Sequence, residues 1–330
     1  MVDSGPMNTA LVKVEPAPAA PALELPAIIS REGRRTVKRF LEFFAVTIRN
    51  ENTREAYARA VSRFFHWCEF RGASFERIEP LIVAAYIEEI SGQFSTPTVQ
   101  QRLAAIRMLY DWLVTGGIVA TNPASAVKAP RFSKKTGKTP VLQAEEMKRL
   151  LDGVNTETVI GLRDRALIGL MFYSFARISA VLKMRVRDYY PQGKRYFVRL
   201  HEKGGKFHVV PVHHKAEEYL DAYIEAAGIS EEKASLLFRS FGGRGREISK
   251  NGISRFDAWA MIKKRKIEVG IREEISPHTM RGSGITIYLL NGGALENAQR
   301  IAAHESSQTT KLYDRTSDEI TLDEIERIAI

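Results

Sequence analysis

The feature that most constrains the fold of this chain is a change of pattern near its middle. From Arg31 to about Ala120, apolar residues recur at the spacing of helices, as at Val37 and Phe40. Four amphipathic helices are predicted in this part, the second with Thr53 as its N-cap and the fourth opening with a Thr-Pro pair, which is typical of a helix start. Four helices suffice for a small helical domain.

The second part of the chain, from about Val141, combines helices with two short strands. The strands are predicted over Arg195 to His201 and Phe207 to Val212, joined by a tight Gly-Gly turn. After Asp221 the pattern predicts helices to the end of the chain. The second part is therefore a mixed domain with little sheet.

Two segments lack this periodicity. Residues 1–30 are rich in Pro and Ala and are predicted to form a disordered or loosely docked tail. Residues 122–140 are rich in Pro, Ser, Gly and Lys and contain no acid, which is typical of a linker between domains. In a protein that grips DNA, the same basic segment would instead follow phosphates.

The amino-acid composition of the chain limits the partners and the kinds of site that it can have. The chain of 330 residues has 49 Lys and Arg against 39 Asp and Glu, and its net charge of +10 favours a polyanionic partner. It contains one cysteine, Cys68, so neither a disulfide framework nor a cysteine zinc site is available, and no metal is predicted. Without a signal peptide or an apolar run of membrane-spanning length, the expected location is the cytoplasm, with no membrane partner.

Four separated motifs of the second part carry residue types that suit chemistry at a phosphodiester. They are FARIS with Arg177, HEKGGK with Lys203, SPHTMRGSG with His278 and Arg281, and HESSQTTKLYDR with His304 and Tyr313. Transesterification at phosphorus builds up negative charge in a pentacoordinate transition state, so it requires a nucleophile, fixed cations and an acid for the leaving oxygen. Together the motifs supply all three.

In this order, the motifs strongly resemble those of the tyrosine recombinases, the integrase and Xer-like family of site-specific DNA recombinases. The resemblance implies a mostly α fold with a small β-sheet: a helical, SAM-like core-binding domain at 31–121 and a mixed α/β catalytic domain at 141–330. It also implies that a helix at about 317–330 docks on a neighbouring subunit, and that no cofactor is needed.

The resemblance assigns a role to each motif residue. Arg177 and Arg281 would grip the non-bridging phosphate oxygens, a task that suits planar guanidinium groups. His278 would bind the phosphate and assist proton transfer, and His304 would donate a hydrogen bond to it. Tyr313 would be the nucleophile and form a 3′-phosphotyrosyl bond, leaving a free 5′ hydroxyl.

The general acid is implied at the hairpin turn, where two lysines compete. Lys203 directly precedes the turn glycine, as in the family pattern, and Lys206 is the rival.

Three supporting positions depart from the family pattern. The small glycine before the first arginine is replaced at Phe175, the acidic residue that often follows three positions after that arginine is Ala180, and the glycine before the second histidine is Ala303. These departures affect the surroundings of the site.

The implied partners are double-stranded DNA, three further copies of the chain in a homotetramer that works through a Holliday junction, and an accessory DNA-bending protein. Within a cell, the protein would associate with the bacterial nucleoid and serve a mobile element. The DNA-binding candidates are basic residues of the first and fourth helices and of the linker: Arg34, Arg35, Lys38, Arg102, Arg107, Lys134 and Lys135. A type IB topoisomerase and a catalytically weak architectural DNA-binding protein are the alternatives.

Overall fold

A computed structural model of the protein describes residues 25–131, 140–202, 207–243 and 247–314. The chain divides into two compact units, Met1–Ser133 and Lys134–Ile330, and each unit has its own apolar core. The division falls within the segment predicted as a linker. None of the helices in the described ranges is long and apolar enough to cross a membrane.

The first unit is helical in its described part. Its helices are α1 (Ala27–Ser30), α2 (Gly33–Glu42), α3 (Glu51–Phe70), α4 (Pro80–Ser91) and α5 (Thr96–Thr115), and a π-helical turn (Phe43–Thr47) extends α2. Proline lies in the first turn of α4 and of α5, where its missing N–H has no helical partner to lose. The N-cap of α3 is Asn50 rather than Thr53, because its side chain accepts a hydrogen bond from the Thr53 amide.

The core of the first unit is rich in aromatic side chains. Phe40, Phe64, Phe65 and Tyr110 are fully or almost fully buried there. The boundary predicted for the tail extends too far, since Ile28 and Ile29 in α1 are buried in the same core. Burying two adjacent isoleucine side chains stabilises the fold, and the average Pro/Ala-rich composition of the segment hides this local apolar pair.

The second unit is mixed. Its helices are α6 (Ala144–Asp152), α7 (Val159–Tyr173), α8 (Ile178–Val181), α9 (His214–Ala227), α10 (Arg255–Glu268), α11 (Pro277–Leu290), α12 (Leu295–Ile301) and α13 (Ser307–Lys311). Its strands are β1 (Tyr189–Gln192), β2 (Arg195–His201), β3 (Phe207–Pro211), β4 (Arg239–Gly242) and β5 (Glu247–Gly252). They form two antiparallel sheets, one of order β1-β2-β3 and one that pairs β4 with β5.

The prediction that only helices follow Asp221 is wrong, because β4 and β5 form a second hairpin there. Its strands are short and contain glycine and polar residues, so they lack the apolar alternation from which strands are predicted. The predicted pair of strands at 195–201 and 207–212 corresponds closely to β2 and β3, and β1 adds a third strand that was not predicted.

Helix α7 lies at the centre of the second unit. Its residues from Ala166 to Met171 are all buried, as expected of a helix covered on every side. Gly169 allows a close approach to α9, since a Cβ at that position would lie 2.8 Å from the Tyr219 ring. The packing around α7 fixes the start of α8 and of α11, from which the candidate site is built.

Candidate active site

The structure brings five of the six predicted chemical residues together in the second unit. Arg177, His278 and Arg281 line one open cavity of about 580 Å³, and Tyr313 contacts His278 beside it. His304 lies against Tyr313, with the two rings nearly parallel at 9° and their centroids 6.3 Å apart. Residues far apart in sequence therefore meet at one place.

Tyr313 is buried, and its side chain is held on two sides. Its hydroxyl lies 2.6 Å from Nε2 of His278, which stands exposed in the first turn of α11. Its ring lies against Gly282, where a Cβ would come within 3.0 Å of the Tyr313 Cε1 atom. The hydroxyl of Thr286 donates a 2.8 Å hydrogen bond to the Tyr313 carbonyl. A hydroxyl fixed beside an imidazole is the arrangement expected of an activated oxygen nucleophile.

Arg281 is 1% exposed, and main-chain oxygens hold its guanidinium group. Nη2 donates a 2.6 Å hydrogen bond to the carbonyl of Ala302, and Nη1 donates to the carbonyl of Phe175. These neutral carbonyls pair with the two Nη groups, whereas the buried Nε has no hydrogen-bond partner among the residues that the structure describes. Burial and the nearby charge of Arg177 lower the pKa of Arg281 to about 10, so the group stays charged at neutral pH.

Both carbonyls belong to turns with a left-handed residue. Phe175 has a φ of 53° and Ala303 has a φ of 48°, a region that L-residues other than Asn and Asp seldom adopt. These are the two positions at which the sequence departs from a glycine of the family pattern. Phe175 is accommodated because its buried ring packs against Gly284, where a Cβ would lie 2.9 Å from the ring, and joins a small apolar cluster with Tyr313.

His304 is buried, and its ring is fixed by Thr310. Nδ1 of His304 lies 2.8 Å from the Thr310 hydroxyl, and the Gln299 side chain donates to the His304 carbonyl at 3.1 Å. Burial, followed by the charge of Arg281, lowers the pKa of His304 to about 3, so the ring is neutral at physiological pH. In the tautomer in which Nδ1 accepts from Thr310, Nε2 carries the proton and can donate it to an oxygen.

Arg177 lies at the start of α8, and its side chain is 40% exposed. Its Nη1 donates a 2.6 Å hydrogen bond to Oε2 of Glu202, whose side chain is only 9% exposed. Sequence reasoning did not identify Glu202. A carboxylate next to a hairpin lysine carries no signal of its own, and the contact depends on how β2 meets α8.

A second group that sequence reasoning missed forms one wall of the cavity. Phe256 and Trp259, which are 71% and 37% exposed, lie on α10 beside Arg255 and line the cavity together with Arg177 and His278. A detectable signal was available, because basic residues interleaved with aromatic ones are typical of nucleic-acid-binding surfaces.

Several predicted residues lie outside the described ranges. They are Lys203, Lys206, Lys134, Lys135 and the segment 317–330. The β2–β3 hairpin that flanks the two turn lysines is nevertheless tied to the site, since Nε2 of His208 on β3 lies 3.0 Å from the carbonyl of Ile301 at the end of α12.

The DNA-binding candidates of the first unit divide into two groups. Arg34, Arg35 and Lys38 are exposed on α2, and Arg35 also donates a 3.0 Å hydrogen bond to the carbonyl of Gly116. Arg102, by contrast, is 6% exposed with its guanidinium carbon 3.7 Å from the centre of the Phe94 ring. Arg107 donates to the carbonyls of residues 124 and 127. The guanidinium groups of Arg102 and Arg107 thus make contacts inside the domain.

Metal ligation has no basis in the parts of the chain that the structure covers, where no three His, Cys, Asp or Glu side chains are grouped to hold an ion. The buried acid Asp164 is instead paired with two arginines, Arg163 at 2.6 Å and Arg265 at 2.7 Å. This cluster joins α7 to α10 and has a structural role.

Comparison with known proteins agrees with the geometry. Residues 140–319 match the model of the phage integrase family, and residues 37–117 match the model of the phage integrase N-terminal SAM-like domain. The chain is 31% identical over 267 residues to tyrosine recombinase XerC of Xanthomonas campestris pv. campestris, covering 79% of this chain and 78% of that protein. It is 27% identical over 270 residues to tyrosine recombinase XerD of Oceanobacillus iheyensis, covering 80% and 87%.

Solved structures share the fold at low sequence identity. The XerH site-specific recombinase in its post-cleavage complex with palindromic difH substrate aligns with a TM-score of 0.68 and 18% identity, over 83% of this chain and 79% of that chain. A lambda integrase tetramer bound to a Holliday junction aligns with a TM-score of 0.64 and 16% identity, over 86% and 79%. The phage integrase model alone matches more than half of the chain, and the SAM-like model matches the helical domain. The chain therefore belongs to the phage integrase family of tyrosine recombinases.

Proposed function

We propose that this chain is a site-specific DNA recombinase that cuts and rejoins strands through a covalent bond to Tyr313. The observation that carries the proposal is the Tyr313 hydroxyl, held 2.6 Å from Nε2 of His278 beside a cavity that Arg177 and Arg281 line. A nucleophile, a proton acceptor and two cations converge there, which is the set that attack on a phosphodiester requires.

In the cleavage step, the Tyr313 oxygen attacks the phosphorus and the bond from phosphorus to the 5′ oxygen breaks. The phenolic proton passes to His278, the hydrogen-bonded neighbour. Arg177 and Arg281 stabilise the charge that develops on the non-bridging oxygens, and His304 donates from Nε2. The departing 5′ oxygen takes a proton from Lys203, or from Lys206 as the rival.

Rejoining is the reverse reaction with a different 5′ hydroxyl. That hydroxyl attacks the phosphotyrosyl phosphorus, releases Tyr313 and restores a DNA strand. The phosphodiester energy is retained in the covalent intermediate, so this chemistry consumes no ATP.

Duplex DNA is the proposed partner of the exposed face of α10. Phe256 and Trp259 give this face apolar surface next to the phosphate cavity, and Lys263 Nζ lies 4.0 Å from the centre of the Trp259 ring. In the first unit, Arg34, Arg35 and Lys38 present exposed cations for the DNA backbone.

A tetramer on DNA is the proposed working state, supported by the fold shared with the lambda integrase tetramer bound to a Holliday junction. The segment 317–330 is proposed to dock on a neighbouring copy. Deletion of 317–330 should abolish assembly on DNA and leave DNA binding by the single chain intact. Unchanged assembly of the truncated chain would contradict the docking.

The experiment that tests the function uses nicked duplexes tiling the DNA that flanks the gene, incubated with the full-length chain. We expect a protein–DNA adduct that resists denaturant with the wild type and none with Tyr313→Phe, which keeps the ring but lacks the attacking oxygen. Mapping the adduct locates the recombination site. Binding to every duplex and to junction substrates without any adduct would instead favour an architectural DNA-binding protein.

A further inference from the structure

The two side chains of the ion pair between Arg177 and Glu202 differ in how far they are exposed to solvent. The arginine is 40% exposed, whereas the glutamate is 9% exposed, so the acid is the buried member. A buried carboxylate is costly unless it is hydrogen-bonded, and the 2.6 Å bond to Nη1 of Arg177 supplies that partner. Glu202 is thus held at a defined place rather than moving in solvent.

The backbone around Glu202 is anchored from the opposite face of the strand. The preceding residue, His201, lies at the end of β2, and its Nε2 is 3.0 Å from Oδ2 of Asp188. Asp188 is itself 2% exposed and accepts a 2.8 Å hydrogen bond from the Arg185 amide. Successive side chains of an extended strand point to opposite faces, so the end of β2 is fixed on both sides.

The two cavity arginines are held in different ways. Arg281 has two carbonyl acceptors and almost no exposed surface, so its orientation is set by the main chain. For Arg177, the described residues supply one hydrogen-bond partner, the Glu202 carboxylate. A guanidinium group is planar with five donors, so one bond at Nη1 restrains its plane and leaves donors at its other positions for an oxyanion.

We propose that Glu202 is a positioning residue, which holds the Arg177 guanidinium toward the cavity so that its remaining donors meet the scissile phosphate. The inference rests on the proposed function. It also accounts for the departure at Ala180, three residues after Arg177, which is 1% exposed and brings no carboxylate to the arginine. The acid comes from the end of β2 instead.

The test measures two quantities with one nicked duplex that the wild type cleaves: the single-turnover rate of adduct formation and the Kd for DNA. Glu202→Ala should slow adduct formation by about 100-fold, the scale of a misplaced catalytic group. Glu202→Gln retains an acceptor oxygen without its charge and should lose roughly 10-fold. The Kd of both variants should stay within about 3-fold of the wild type, because many phosphate contacts share the binding.

The matched control is Glu218→Gln, which removes an exposed carboxylate of the same unit that pairs with Lys215 at 3.1 Å. This variant should cleave at the wild-type rate. A Glu202 variant that cleaves as fast as the wild type, or that loses DNA binding in proportion to cleavage, overturns the positioning role. Faster cleavage by Glu202→Gln would also overturn it, by showing that the carboxylate competes with the phosphate. Absence of an adduct with the wild type itself would instead count against the proposed function.

Discussion

The left-handed conformation of Ala303 predicts that an exchange to glycine stabilises the folded chain there, whereas the same exchange at the neighbouring Ala302 destabilises it. Ala303 has a φ of 48°, a conformation that costs a residue with a Cβ roughly 1–2 kcal/mol. Glycine avoids this cost, but it gives the unfolded chain more conformational freedom, which lowers the free energy of unfolding by about 0.4–1 kcal/mol. Ala303→Gly should therefore raise the free energy of unfolding by about 0.5–1 kcal/mol.

Ala302 supplies the matched control. It is 1% exposed and has a φ of −78°, which alanine adopts without strain. Ala302→Gly should lower the free energy of unfolding by about 1 kcal/mol through the freedom of glycine and by about 0.8 kcal/mol through the lost buried methyl. Two identical exchanges at adjacent positions are thus expected to act in opposite directions.

Scanning calorimetry of the full-length chain is the appropriate assay, because it measures Tm directly, and the two alanines lie in the unit Lys134–Ile330. For a unit of this size, about 0.5–1 kcal/mol corresponds to a rise in Tm of about 1–4 °C for Ala303→Gly. Adduct formation should be unchanged, since the Ala302 carbonyl keeps its place. If Ala303→Gly lowers Tm as much as Ala302→Gly does, the left-handed conformation of Ala303 does not strain the folded chain.

Three further predictions concern the buried charge, the neutral histidine and the aromatic wall. Arg281→Met should abolish the adduct. It should also raise the free energy of unfolding by about 1 kcal/mol, because removing a desolvated charge whose Nε has no partner in the described part of the chain outweighs the loss of donors to the carbonyls of Phe175 and Ala302. Urea unfolding checks this, and a loss above about 2 kcal/mol would contradict it. The pKa of His304 is about 3 in the folded chain, against its ordinary value of 6.5, so the unfolded state binds the extra proton between these values. The stability that the neutral ring contributes is therefore complete above pH 6.5, and it falls by up to about 1.4 kcal/mol per pH unit as the pH drops toward 3. His304→Gln should remove this pH dependence, which urea unfolding between pH 4 and 6.5 measures. Trp259→Ala should weaken duplex binding by roughly 10-fold in a titration at fixed salt, whereas Ile267→Ala, which removes an exposed side chain of the same helix away from the cavity, should leave it unchanged.

The parts of the fold that could be predicted are those in which the pattern is local. Helices such as α5, with proline in the first turn and apolar residues at helical spacing, follow from short-range preferences. The strands β4 and β5 were not predicted, because they are short and show little apolar alternation. The burial of Ile28 and Ile29 in α1 depends instead on contacts with segments that are distant in sequence.

The candidate site divides in the same way. The ordered motifs led to Arg177, His278, Arg281, His304 and Tyr313, because the chemistry requires these residue types and the resemblance gave their positions. Burial of an arginine, in contrast, depends on neighbours brought by the fold. Arg102 lies over Phe94 and is covered, whereas Arg34 is exposed, and their sequence surroundings do not distinguish them. The pairing of Arg177 with Glu202 has the same origin.

The way in which Arg281 is held bears on how this chain could be improved by directed evolution. The buried charge and the left-handed turns that supply its two carbonyl partners both reduce the stability of the folded chain before any DNA is bound. A library screened only for resistance to heat would therefore enrich apolar replacements of Arg281, and the most heat-resistant clones would be inactive. Among substitutions at this place, Ala303→Gly combines heat resistance with an intact arginine, so it is the natural starting background for any such screen.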